Sequence, residues 1–155
     1  DTQYTLDELV TLASIVQAEA PSHDSMKMVS SVFYNRLKNP EAIGRTQPFL
    51  ESDPTEKYAN EVIKPNIEQT GSSQLIIQAY NTYEVAGLTP GAICNPGIEA
   101  IDAVFNAPQT DYYYFCANIY TKETYYAKTL DEHEQNLAMV QEQYDAMPET
   151  EVPEQ

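Results

Sequence analysis

Apolar residues recur at three- and four-residue steps in several stretches of this chain, and those stretches predict its helices. In the first, Leu9, Leu12, Ala13 and Val16 share a face, and Thr5 with Glu8 has the spacing of a capping box. That helix is expected to reach about Ala20, before Pro21. Asp24 is expected to cap a second helix with Met26, Val29, Phe33 and Leu37 on one face, stopped by Asn39 and Pro40. The two form a helical hairpin.

From Glu41 to Ser73 the period is lost, and Pro48, Pro54, Pro65 and Gly71 punctuate the chain, so long loops with short elements are expected. Loops of that length in a compact domain usually carry function. Asn95 as cap and Pro96 at the first helical position are expected to open a helix through Ile98, Ile101, Val104 and Phe105, ended by Pro108. Tyr112 to Cys116 reads as a strand, and Thr124 to Tyr126 as its hairpin partner. Thr129 and Glu132 form another capping box, before a stripe of Leu130, His133, Leu137, Val140 and Tyr144. Helices with a few strands and no βαβ rhythm make the class α+β, a helical hairpin and further helices packed with a small antiparallel sheet.

The 155 residues suit one domain. It is expected to span 1–147, leaving 148–155 as a disordered acidic tail of alternating Pro, Glu and Thr. A formal charge of -16 repels phosphate backbones and anionic membrane surfaces, which excludes nucleic acid as a partner. No apolar run approaches the ~20 residues that cross a bilayer, and no signal peptide is present. The chain opens at Asp1 rather than Met, so a longer parent protein is expected. Cys94 and Cys116 lack metal spacing and read as two buried thiols, with a bridge between them left open.

Glu19 lies three residues after Val16, four after Ile15 and seven after Leu12, on the flank of the face that must be buried. It also occupies the last helical turn, where the negative end of the macrodipole disfavours an anion. Both effects raise a carboxyl pKa, which suits a general acid, whereas a Glu that snorkels to solvent is the plainer alternative. Glu51, Ser52, Asp53 and Thr55, then Asn81, Thr82 and Tyr83, supply polar side chains in irregular segments that could line a cleft. Asp53 before Pro54 reads equally well as a turn former. His133 on its apolar stripe reads as a hydrogen-bonded structural histidine, and Tyr112, Tyr113 and Tyr114 as residues of a half-buried strand.

Seven ordered blocks carry a resemblance. Leu12 to Ala20 and Val29 to Leu37 resemble the opening blocks of the YceG-like family of endolytic murein transglycosylases. Leu50 to Thr55, Tyr80 to Tyr83, and Gly87 to Gly97, which includes Asn95, are similar to its middle signatures. Asp111 to Phe115 and Lys128 to His133 resemble its closing strand and helix. The resemblance makes Glu19 the catalytic acid, and Asn35, Glu51, Ser52, Asp53, Thr55, Asn81, Thr82, Tyr83 and Asn95 candidates for binding substrate. Two departures stand out: Gln17 where many members carry Glu, and Glu51 where Gln is usual.

What the resemblance implies is cleavage of peptidoglycan glycan strands between MurNAc and GlcNAc, leaving 1,6-anhydroMurNAc ends. The implied location is the outer face of the bacterial cytoplasmic membrane, through an N-terminal anchor not in this sequence, beside peptidoglycan synthases. No cofactor and no metal are expected, since the chain offers no phosphate-cradling glycine loop and only two His. Two other readings stay open: a hydrolase pairing Glu19 with Asp53 or Glu51, and a non-catalytic glycan-binding module.

Overall fold

The computed structural model describes residues 3–20, 22–68 and 71–146. Helix α1 (Leu6–Glu19) opens with the expected box, in which the Thr5 side chain accepts from the Glu8 N–H and the Glu8 carboxylate accepts from the Thr5 N–H at 2.7 Å. Helix α2 (His23–Lys38) is capped by Ser22 rather than Asp24. The Ser22 backbone is extended and its hydroxyl accepts from the Ser25 N–H, while Asp24 falls inside the first turn, where its charge meets the positive end of the helix. Leu9, Leu12, Ala13, Ile15 and Val16 of α1 share one buried cluster with Val29 and Phe33 of α2.

A third helix, α6 (Ile98–Phe105), packs on both and buries Ala100, Ala103 and Val104. It is capped at Gly97, not Asn95, so Pro96 precedes the helix instead of starting it. Gly97 is extended and its N–H donates to the Gln17 side chain at 2.6 Å. That bond belongs to a seam along which residues 93–113 follow the course of the hairpin. Ser14 meets Ile93, His23 meets Asp102, Ser31 meets Thr110, and Arg36 meets Tyr113, partners 77 to 80 positions apart.

The chain between the two sides of the seam is more ordered than its sequence suggests. After a 3-10 turn (Pro40–Ile43), α3 (Asp53–Tyr58), a wide π turn (Ala59–Ile63) and α4 (Lys64–Asn66) run end to end, and α5 (Gly71–Ala79) follows. Pro54 occupies the first turn of α3, where a missing N–H costs nothing. Leu75 and Ile76 of α5 are exposed, so that helix has no buried stripe to announce it.

Strands β1 (Tyr114–Ala117) and β2 (Thr124–Ala127) pair antiparallel, with Phe115 opposite Tyr126. Ladder pairing starts two residues later than expected, although the Tyr113 N–H still donates to the Ala127 carbonyl at 2.9 Å. Helix α7 (Leu130–Asp145) starts with its capping box at Thr129 and packs on both strands. Helices packed with a small two-stranded antiparallel sheet make the fold α+β. The acidic stretch from Pro148 lies outside the described residues.

Candidate active site

Glu19 ends α1, and the chain that meets it is shaped by the residue before Ser52. Glu51 has a φ of 52°, the left-handed region that side chains other than Gly rarely occupy. The turn is held on both sides: the Glu51 N–H donates to the Thr82 carbonyl at 3.1 Å, and the Ser52 N–H to the Thr82 hydroxyl at 2.9 Å. The Thr55 hydroxyl donates to the Ser52 carbonyl at 2.7 Å. Ser52, Thr55 and Thr82 are buried together, and their hydrogen bonds to one another are what make that burial affordable.

From this knot the Ser52 hydroxyl donates to Oε1 of Glu19 at 2.6 Å. Among the described residues nothing hydrogen-bonds to Oε2. Burial raises the Glu19 pKa, and the Asp53 charge adds to the rise. The Ser52 hydrogen bond and the Arg36 cation oppose it without cancelling it. Asp53 accepts from the Tyr83 hydroxyl, and the Asn81 side chain accepts from the Tyr83 N–H at 3.0 Å. Burial and these carboxylates push the Tyr83 pKa up, so its phenol stays protonated and donates. Glu51 pairs with Arg45 at 2.5 Å.

These groups form one wall of a cleft of about 370 Å³. Tyr114, Leu130, His133 and Leu137 form the facing wall. Arg36, buried at 7% exposure, joins the walls: its Nε donates to the Tyr113 carbonyl at 2.7 Å, its Nη1 to the Leu50 carbonyl, and its guanidinium lies 5.7 Å from the Tyr114 ring centre. A fork of donors suits two carbonyls from separate segments. The His133 ring stacks on Tyr114 at 5.3 Å, but its Nδ1 is buried without a hydrogen-bond partner, so the expected hydrogen-bonded histidine is not what the structure contains. Burial and the Arg36 charge lower its pKa and keep the ring neutral.

Of the residues singled out in the sequence, Glu19, Glu51, Asp53 and Tyr83 line this cleft, with Ser52, Thr55, Thr82 and Asn81 directly behind them. Asn35 and Asn95 lie elsewhere. The Asn35 amide donates to the Thr110 and Tyr112 carbonyls, on a different hollow of about 580 Å³, and Asn95 is exposed ahead of α6. Arg36, Tyr114, His133, Leu130 and Leu137 complete the cleft without having been marked as site residues. The one available signal was Arg36, a fixed cation three residues after Phe33 on a helix face that is otherwise apolar. Both cysteines are free, and Cys94 is exposed rather than buried; Cys116 is partly buried and lines the cleft. Among the described residues no group of three or more His, Cys, Asp or Glu is placed to hold a metal ion.

Residues 1–139 match the model of the YceG-like family. The chain is 37% identical over 134 residues to the endolytic murein transglycosylase of Bacillus subtilis (strain 168), a match covering 83% of this chain and 33% of that protein. To the endolytic murein transglycosylase of Streptococcus pneumoniae (strain D39) it is 34% identical over 137 residues, covering 86% of this chain and 24% of that protein. The fold resembles a 2.6 Å crystal structure of a YceG-like protein from Listeria monocytogenes, with a TM-score of 0.68 at 34% identity, over 86% of this chain and 41% of the other. The chain therefore spans between 24% and 33% of the length of the curated relatives it matches.

Proposed function

The chain belongs to the YceG-like family, and from that premise we propose that it is the catalytic domain of an endolytic murein transglycosylase, with Glu19 as its acid and base. Peptidoglycan glycan strands are the substrate. One observation carries the reading: Glu19 is a carboxyl group of raised pKa in a cleft whose other carboxylates are engaged, Glu51 by Arg45 and Asp53 by Tyr83. A hydrolase needs a second carboxylate to activate water or bond to the sugar, and these two are held by other partners. A pure binding module would have no use for a buried carboxyl group of raised pKa at its centre.

In the proposed reaction Glu19 donates its proton to the glycosidic oxygen as the bond from MurNAc C1 breaks. The resulting carboxylate takes the proton of the MurNAc C6 hydroxyl as that oxygen bonds to C1. Glu19 ends as it began, and no water is consumed. The Ser52 hydroxyl holds the carboxyl group in place through both steps. The negative charge of Asp53, which accepts from Tyr83, favours the oxocarbenium-like charge that develops on the sugar. Asn81 and Thr82 act from behind, by placing Tyr83 and Ser52.

Among the described residues no helix is long and apolar enough to cross a membrane. The relatives' additional length leaves room for an anchor outside this sequence, and the proposed location is the extracytoplasmic face of the cytoplasmic membrane, beside the synthases that make new strands. Digestion of purified uncrosslinked strands, read by mass spectrometry, tests the chemistry. Fragments ending in 1,6-anhydroMurNAc, one water lighter than hydrolysis products, are expected. Reducing-end MurNAc would turn the reading to a hydrolase, and tight binding without cleavage would turn it to a binding module.

A further inference from the structure

Among the described residues only two other than glycine have a φ in the left-handed region, Glu51 at 52° and Lys122 at 64°. Each lines a hollow that also contains Glu19. Such a backbone is disfavoured for any residue with a Cβ, and it persists where the surrounding contacts enforce it, most often beside a functional site. At Glu51 the strained residue delivers Ser52 to the acid. Lys122 touches no part of that knot and brings a cation instead.

Lys122 lies in the turn 118–123 between β1 and β2, and the turn is fixed from within by Asn118, whose side chain is fully buried. The Asn118 side-chain oxygen accepts from the Tyr120 and Thr121 N–H groups at 2.9 and 3.1 Å, and its amide donates to the Gln143 side chain at 2.7 Å. The Lys122 N–H donates to the Asn118 carbonyl at 2.9 Å, and the Ile119 N–H to the Tyr144 hydroxyl at 3.0 Å. Two residues of α7 therefore hold the turn. It stands beside a hollow of about 220 Å³ lined also by Ala18, Glu19, Ala20, Ala117 and Ile119.

The Lys122 side chain is exposed, and the ion pairs among the described residues engage Lys27, Arg45 and Lys128 rather than Lys122. The adjacent Glu123 carboxylate accepts from the Tyr125 hydroxyl at 2.7 Å. With eight Lys and Arg against 24 Asp and Glu, most of this protein repels anions, so a carboxylate arriving near the acid meets its attraction at Lys122.

We propose that Lys122 is a specificity-determining residue that receives a carboxylate of the peptide stem borne by the sugar at Glu19, so that strands with acidic stems are chosen over bare ones. The assignment rests on the transglycosylase reading and adds recognition of the peptide branch to recognition of the glycan. Three alanines and Ile119 give the hollow an apolar lining on which the alkyl parts of a stem can pack. The contact is an exposed ion pair, modest in worth and weakened by salt.

The test compares the parent, Lys122→Asn and Lys122→Arg on three uncrosslinked substrates: strands with free-carboxylate stems, the same strands with those carboxylates amidated, and strands stripped of stems by an amidase. Asn removes the cation yet accepts a left-handed backbone, so the turn survives, and Arg keeps the charge. In Lys122→Asn the KM for free-carboxylate strands should rise about three- to fivefold at low salt, with kcat changed by less than about twofold. The parent's preference for free over amidated stems should vanish in Lys122→Asn, return in Lys122→Arg, and shrink as salt is raised. Binding of the same strands to Glu19→Gln forms of the three proteins reads that preference without cleavage, while the product ends of the parent read the transglycosylase assignment separately. A parent that does not distinguish free from amidated stems, or equal changes on all three substrates, would overturn the role of Lys122 and leave the transglycosylase reading standing.

Discussion

The Ser52 hydroxyl and the Glu19 carboxyl are joined by a 2.6 Å hydrogen bond between residues 33 positions apart, the last of α1 and the one before α3. Glu19 is thus oriented by a group that is itself fixed by Thr82, and among the described residues nothing hydrogen-bonds to its second oxygen. The behaviour of both residues on substitution follows from that arrangement.

Glu19→Gln keeps an oxygen that accepts from Ser52 and loses the transferable proton. Cleavage should fall by ~10²- to 10⁴-fold or more. Stability should move the other way. Burial raises the folded pKa of Glu19 above its unfolded value, so its favourable contribution is complete below the unfolded pKa and is lost as pH rises through the folded one. At neutral pH the variant should melt at the same temperature as the parent or higher, and the gap should close on acidification. Undiminished cleavage by Glu19→Gln would remove Glu19 from the mechanism.

Ser52→Ala removes the hydrogen bond that favours the Glu19 carboxylate. The Glu19 pKa then rises further, and the limb of the pH–rate profile at which Glu19 loses its proton should shift to higher pH. Rate at the optimum should also drop, on the order of tenfold to a hundredfold, because the acid is less well aimed. A limb that stays put or moves to lower pH would show that Ser52 does not act through Glu19.

Arg36→Lys preserves charge but cannot reach the Tyr113 and Leu50 carbonyls with a planar fork. The buried Leu50 carbonyl and the partly buried Tyr113 carbonyl lose partners, so unfolding free energy should fall by about 1–3 kcal/mol. Urea denaturation measures this, and an unchanged midpoint would mean that the carbonyls find other donors.

Thiol chemistry gives a check that needs no substrate. With Cys94 and Cys116 both free, the native protein should titrate two thiols, and added reductant should leave its melting temperature unchanged. A downward shift on reduction would reveal a bridge.

Local signals in the sequence were reliable where a few neighbouring residues decide the outcome. The capping boxes at Thr5 and Thr129 and the hairpin of β1 with β2 are of that kind. Where neighbouring candidates competed, the reading slipped: Ser22 took the cap expected of Asp24, and Gly97 that expected of Asn95. The stripe on α7 was legible, but a stripe does not say whether another element covers it. Leu130 and Leu137 remain 52% and 46% exposed because they face the cleft. Glu19 could be placed from its own helix, whereas Arg36 and His133 join the site only through contacts with distant segments. Asn35, adjacent to Arg36, points instead to Thr110 and Tyr112.

The seam between the hairpin and residues 93–113 bears on how the protein is made. Helices α1 and α2 leave the ribosome before residues 93–113, and their partners in that segment lie 70 to 80 positions later. At bacterial-scale elongation of about 5–20 residues per second, the hairpin waits on the order of ten seconds with its apolar face uncovered. During that interval the nascent chain is a natural client for a chaperone that shields apolar helices, and a slow codon between residues 40 and 92 would lengthen its stay.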